Sequence, residues 1–181
     1  MHSGVKVYPS DIKNTPLNLG DIAHHLAGPK NQRFGGSLEF DQTYSVAQHS
    51  ILMATYANSM YTKGVARACL LHDATEAYLG DVVSPLKAEL NDYKKLEADL
   101  CSAIYSKYNI ATDEETTKLV KEIDMRILLD EVSALMPHQL KMFADIYAPL
   151  LPLGITVDGK LPAQEVKDAF LYWADYLNIR D

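Results

Sequence analysis

Apolar residues recur along most of this chain at the three-to-four-residue spacing of a helix. Val46, Ser50, Met53 and Ala57 share one stripe, and Ala66 to Tyr78 is a continuous Ala- and Leu-rich stretch that Gly80 and Pro85 are expected to end. Leu96, Leu100, Ile104 and Tyr108 repeat every fourth residue over 91–108. Thr112-Asp113-Glu114-Glu115 reads as an N-terminal cap for a helix carrying Leu119, Ile123, Ile127 and Leu128, which Pro137 stops. A last helix opens near Pro162 and puts Val166, Phe170, Trp173 and Leu177 on one face, as core or as a dimer face. A short helix is predicted over Leu19–Ala27, opened by Asp21 and closed by Gly28-Pro29.

The remaining segments are punctuated differently. Residues 1–16 read as irregular, with Val5-Lys6-Val7-Tyr8 alternating as a short strand would. Turn formers crowd residues 28–43, where Ser37-Leu38-Glu39-Phe40 also alternates, so a loop or small hairpin is expected there. Pro149, Pro152 and Gly154 mark a further loop. No repeat, linker or low-complexity tract interrupts the pattern. The expectation is an all-α, single-domain helical bundle over 1–181 with a short irregular or hairpin N-terminal segment.

Composition narrows the function classes. A net charge of −7 argues against a binder of nucleic-acid polymers or a basic membrane-surface protein. It leaves room for an anionic small molecule, because a bound divalent cation reverses the local sign. The two cysteines, Cys69 and Cys101, lack metal-type spacing and read as small core residues in a reducing compartment. No apolar run approaches the roughly 18 residues needed to span a bilayer. The first 20 residues hold no apolar stretch of the signal-peptide kind. A soluble, cytoplasmic protein is expected.

Against that background the run His72-Asp73-Ala74-Thr75-Glu76 is out of place. On a helix, Glu76 lies one turn from both His72 and Asp73, and the flanking Leu70-Leu71 and Ala74-Ala77 would bury all three. Buried charges are costly unless paired or bound to metal. His49 upstream and Asp124 downstream supply an imidazole and a carboxylate from two other helices, as in sites assembled inside bundles. The set His49, His72, Asp73 and Asp124 mixes nitrogen and oxygen donors. It suits Zn, Mn, Fe or Co and makes a pure Ca site unsuitable. His2, His24, His25 and His138 lack partners at useful spacing and are read as structural or exposed.

Taken in order, Tyr44-Ser45-Val46-Ala47-Gln48-His49-Ser50, Leu71-His72-Asp73-Ala74-Thr75-Glu76-Ala77-Tyr78, Gly80-Asp81, Ser84-Pro85-Leu86-Lys87 and Asp124 resemble the HD-domain phosphohydrolases. Within them the chain looks most similar to 5′-deoxynucleotidases and phage dATP triphosphohydrolases. The likeness runs from about Ile22 to Leu135. It implies an all-α fold with His49, His72, Asp73 and Asp124 as ligands of Zn, Co or Mn, with additional Mg as an option. It also implies catalytic roles for Glu76 and Asp81. A carboxylate in the place of Glu76 can orient or deprotonate water, hold a second metal, or protonate the leaving oxygen.

Arg33-Phe34-Gly35-Gly36 resembles the family's substrate loop, which assigns Arg33, Phe34 and Gly36 to binding. A guanidinium pairs with phosphate or a sugar hydroxyl, and an aromatic ring packs on base or sugar. Similar proteins often carry a histidine after these glycines where this chain has Ser37, and a few extra residues follow as far as Asp41. The resemblance places Pro85 near the base and Lys87 by the phosphate tail. Lys121, three residues before Asp124, shares its helix face and is a further phosphate candidate.

The reaction these residues imply is cleavage of the 5′ phosphoester of a deoxynucleotide, from a dNMP or a dNTP, dATP included. The resemblance also implies a homo-oligomer, in a host cytoplasm if the chain is phage-encoded. Two other readings stand beside it. One is an HD hydrolase of cyclic or hyperphosphorylated guanine nucleotides; the other is a non-enzymatic metal-binding regulator.

Overall fold

The computed structural model describes residues 1–36, 38, 42–82 and 84–181. Among them the helices are α1 (Leu19–Ala27), α2 (Val46–Met60), α3 (Lys63–Leu71), α4 (Glu76–Leu79), α5 (Ser84–Glu89), α6 (Asn91–Lys107), α7 (Glu114–Leu135), α8 (Leu140–Tyr147) and α9 (Ala163–Tyr176). Three 3-10 segments, Pro9–Asn14, Arg33–Gly36 and Pro137–Gln139, connect them. The only β pairing among the described residues is a lone bridge between Gln32 and Ser45. The all-α expectation holds. Val5–Tyr8 finds no partner strand among the described residues and runs instead into the Pro9–Asn14 turn. The alternation read over Ser37–Phe40, and the extra residues to Asp41, fall outside the described residues except for Leu38.

The starts of α1, α2, α3 and α7 follow their capping chemistry. Ser45 and Gln48 form a reciprocal capping box that opens α2 and places His49 one turn inside it. Thr62 caps α3 and Asp113 caps α7, where the Asp113 carboxylate takes both the N–H and the hydroxyl of Thr116. α1 spans the predicted residues, but its cap is Asn18, which accepts from the Asp21 N–H. The Asp21 carboxylate instead holds the Ser3 backbone N–H and hydroxyl.

α2 lies at the centre. Val46, Ala47, Gln48, His49 and Ser50 are all buried, so its first turn and a half is enclosed on every side. It pairs with α3 and packs on α1, α7 and α9. Ile22, Leu26, Met53, Leu70, Leu71, Leu100, Ile104, Ile127 and Phe170 fill the space between these helices. The predicted stripes supply Leu100, Ile104 and Tyr108 from 91–108 and Ile123 and Ile127 from α7, while Leu96 stays only half-buried. Arg67 closes the far end of this core by donating to the carbonyls of Leu177, Asn178 and Tyr108.

Three features depart from the sequence expectation. The helix read over Ala66–Tyr78 is not continuous. α3 stops at Leu71, and residues 72–75 form a tighter turn in which Ala74, Glu76 and Tyr78 bond three residues back. A physical cause is visible at His72, whose Nδ1 donates to the Cys69 carbonyl, the acceptor a continuing helix would give to the Asp73 N–H. Pro85 does not end a helix but lies in the first turn of α5, where its missing N–H costs nothing. Residues 140–147, to which the sequence pattern assigned no element, form α8.

The long loop before α9 is pinned to α7 by Asp130, whose carboxylate accepts from the N–H groups of Leu153, Gly154 and Ile155 at 2.7, 2.9 and 3.1 Å. Gly154 has φ +79, a conformation side-chain-bearing residues resist, which lets consecutive N–H groups converge on one carboxylate. No helix among the described residues is long and apolar enough to cross a membrane. Asp130→Ala is expected to cost about 2–3 kcal/mol in chemical denaturation, because three donors lose a charged acceptor. Asp130→Asn should lose less, since its amide oxygen still accepts.

Candidate metal centre and cleft

Three elements deliver the candidate ligands to one point. His49 comes from the enclosed first turns of α2, His72 and Asp73 from the turn after α3, and Asp124 from the middle of α7. His49 Nε2 lies 3.2 Å from His72 Nε2 and 3.2 Å from Asp124 Oδ1. Asp73 Oδ2 lies 3.0 Å from His72 Nε2 and 4.0 Å from His49 Nε2. Ligands at about 2.1 Å from one ion in tetrahedral or octahedral geometry sit roughly 3.0–3.4 Å from their neighbours. Among the described residues, His49, His72 and Asp124 form a group able to hold a metal ion.

The imidazole orientations test the fit independently. A carbonyl only accepts, so His72 Nδ1 carries the hydrogen in its 2.8 Å bond to the Cys69 carbonyl. His49 Nδ1 faces Glu131 Oε1 at 2.5 Å and donates to that carboxylate. Both neutral tautomers then leave an Nε2 lone pair aimed at the shared point, the arrangement metal-binding histidines adopt. The residues present fit a divalent cation.

The local electrostatics agree. Burial disfavours a charged His72, but Asp73 and then Asp124 outweigh it and push the imidazole up to about 9. Burial would raise Asp73, yet His72, His49 and Arg33 hold it well below the usual carboxylate range. Asp124 is lowered too, its burial more than offset by His49 and His72. Glu76 moves the other way. Burial, reinforced by Asp73 and Asp81, pushes it up to about 8, and burial raises Asp81. Acids outnumber fixed cations here, so the site favours a proton, or a metal ion in its place.

The centre opens into a cleft of about 620 Å³. Arg33, Asp73, Glu76, Asp81, Lys87 and Asp124 line its polar side, and Phe34, Val82, Met125, Leu128, Phe143 and Tyr147 its apolar side. Glu76 arrives through the tight turn, where residues three apart eclipse, so it stands beside Asp73. Gly80 (φ +80, ψ 157) reverses the chain after α4 with a backbone that glycine alone takes readily, and sends Asp81 to the same cleft.

Arg33 donates to Glu131 at 3.0 Å, lies 3.8 Å from Asp73 and stacks over Phe34. Burial disfavours its charge, but Glu131, Asp73 and Asp124 raise its pKa further still. Among the described residues its Nε has no partner, and Phe34 takes a left-handed φ of 65° to hold the turn. Gly36 ends that turn and Pro85 lies in α5. Lys87 reaches the cleft but is bound to Glu97 at 2.5 Å. Lys121 does not line this cleft; it borders a separate cavity of about 320 Å³ that also reaches His72 and Asp124.

One residue of evident importance was missed in the sequence. Glu131 is fully buried and holds His49, Arg33 and the Tyr44 hydroxyl (2.9 Å) at once. Its spacing offered a signal, since it follows Asp124 by seven residues and so shares its helix face two turns on.

Comparison with known proteins places this geometry. A family profile described as an HD domain matches residues 39–143. The uncharacterised protein YfdR of Escherichia coli K12 is 36% identical over 129 residues, 71% of this chain and 67% of its own. An uncharacterised protein of Rhodobacter capsulatus is 28% identical over 179 residues, covering 94% of this chain and 90% of its own. The profile spans the elements that bring His49, His72 and Asp124 together, and the chain belongs to the HD-domain family of metal-dependent phosphohydrolases.

Proposed function

We propose that residues 1–181 form one HD-type phosphohydrolase domain that cleaves the 5′ phosphoester of a deoxynucleotide, using Zn, Co or Mn. The observation that carries this reading is the convergence of His49 and His72 Nε2 with the Asp73 and Asp124 carboxylates, in a cleft shared with Glu76 and Asp81. A divalent cation held by these four residues supplies Lewis acidity that polarises a phosphoryl oxygen and acidifies water.

The chain's own groups do the rest. Glu76, whose burial beside Asp73 and Asp81 makes it a stronger proton acceptor than an ordinary glutamate, accepts a proton from the attacking water. Asp81, also raised, stands in the same cleft to hand a proton to the departing O5′. Arg33 meets the phosphate from its seat between Glu131 and Asp73, and Phe34 packs on sugar or base. Arg33 serves one phosphate; a longer chain would draw Lys87 away from Glu97. Cutting at O5′ releases phosphate or triphosphate according to the substrate.

The deciding assay offers dNMPs, dNTPs and NTPs to protein loaded with Mn, Co or Zn and resolves the products by chromatography. Release of no phosphate, pyrophosphate or triphosphate from any nucleotide would overturn the reading. Asp73→Ala should abolish both turnover and bound metal, whereas Glu76→Gln should lower kcat by about 10²–10⁴-fold and leave metal content near stoichiometric. Glu131→Gln should weaken metal affinity or activity by about 10–100-fold, measured by competition with a chelating dye and by steady-state rates.

Glu76 also sets a pH dependence of stability. The fold favours its neutral form, so its contribution is complete below the ordinary glutamate value of 4.5 and lost as pH climbs through about 8. In metal-free protein, Glu76→Gln should therefore gain on wild type as pH rises from about 5 to 8, by roughly 1–2 kcal/mol or a few degrees in Tm. A difference that stays flat with pH would show that the Glu76 carboxyl is unperturbed.

A further inference from the structure

The apolar side of the cleft has a composition that core packing does not explain. Phe143 and Tyr147 sit one turn apart on α8, with ring planes within 8° of parallel and centroids 6.4 Å apart. No residue of α8 is buried, and its outer face exposes Met142 and Ile146. The helix is held mainly along one edge, against α7 and the Pro137–Gln139 turn. Both aromatic rings line the cleft that contains Asp73, Glu76 and Asp124. Phe143, like Phe34 and Leu128, also packs on the small buried cluster of Tyr44, Val132, Leu135 and Met136. Met125 and Leu128, next to Asp124 and one turn beyond it, carry this apolar surface up to the metal centre.

We propose that Phe143 and Tyr147 form the wall on which the planar, aromatic part of the substrate stacks. This rests on the phosphohydrolase reading above and adds a specificity surface to it. A ligand that fills the cleft must offer negative charge at Arg33 and the metal centre and an apolar surface at α8. Two parallel rings one turn apart accept a third ring in offset stacking, an arrangement that any nucleobase can meet. Ordinary aliphatic phosphoesters offer nothing flat to that wall. The Tyr147 hydroxyl gives this wall a hydrogen-bonding group for the edge of the base. α8 thus separates nucleotides from other phosphoesters that the metal centre could otherwise attack.

The test compares four dNMPs with 2-deoxyribose 5-phosphate, which carries the same phosphoester without a base. Binding is measured by calorimetry and turnover by phosphate release, on Mn-loaded protein. Phe143→Ala/Tyr147→Ala should raise Kd and KM for the preferred dNMP about ten-fold or more, while kcat changes less. The penalty on 2-deoxyribose 5-phosphate should be at least several-fold smaller. Tyr147→Phe, which keeps the ring, should recover most of what Tyr147→Ala loses. An equal penalty on both ligands, or none on the dNMP, overturns the proposal. So does wild-type protein that binds dNMPs no more tightly than 2-deoxyribose 5-phosphate. If dNMPs bind through the two rings but no phosphoester is cut, the reaction fails and the wall stands. Bound metal and Tm, measured on each variant, separate loss of the wall from loss of the fold.

Discussion

The carboxylate of Glu131 is enclosed completely, at a cost of several kcal/mol unless every lone pair finds a partner. It finds three. His49 Nδ1 and the Tyr44 hydroxyl share one oxygen, and Arg33 takes the other. The partners come from α2, the residue before its cap and the turn at 33–36, so one side chain of α7 ties three separate segments together. Because Glu131 accepts from Nδ1, His49 keeps its Nε2 lone pair for the shared point beside Asp124. The same carboxylate keeps Arg33 at the edge of the cleft. Metal centre and anion-binding group are therefore set by one buried charge.

A second exchange of hydrogen bonds shapes the other half of the site. His72 gives its Nδ1 hydrogen to the Cys69 carbonyl and thereby takes an acceptor from the backbone. The helix tightens at that point, which aligns Asp73 with Glu76 instead of spreading them around a regular helix. Regular helix is given up over four residues, and a cluster of donors facing one point is gained. Local rules tend to break at such positions because function imposes a second requirement on the same atoms.

Much of this was legible in the chain. The stripes at 91–108 and 114–136, the Asp113 cap and the bounds of α1 follow from spacing and capping alone. His49, His72, Asp73 and Asp124 stood out because acids and histidines sat among residues destined for a core. α5 and α8 were harder to read. Pro85 looks like a stop until its place in a first turn is known, and α8 is a short helix between two prolines. Glu131 hid in plain sight: a glutamate among other acids of an amphipathic helix reads as solvated until its face is known to be enclosed.

Sequence alone determined the all-α class, the bounds of α1, α6 and α7 and a candidate donor set, because these depend on periodicity, caps and residue chemistry that act over a few positions. Tertiary structure decided which charges meet. Lys87 and Lys121 carry equal charge and similar promise in the sequence, yet one is held by Glu97 at the cleft and the other borders a different cavity. Glu131 and Asp130 are adjacent acids, but one faces His49 and the other a loop twenty-odd residues away. Side-chain partners are chosen by where whole helices pack, and that choice is not written at any single position of the chain.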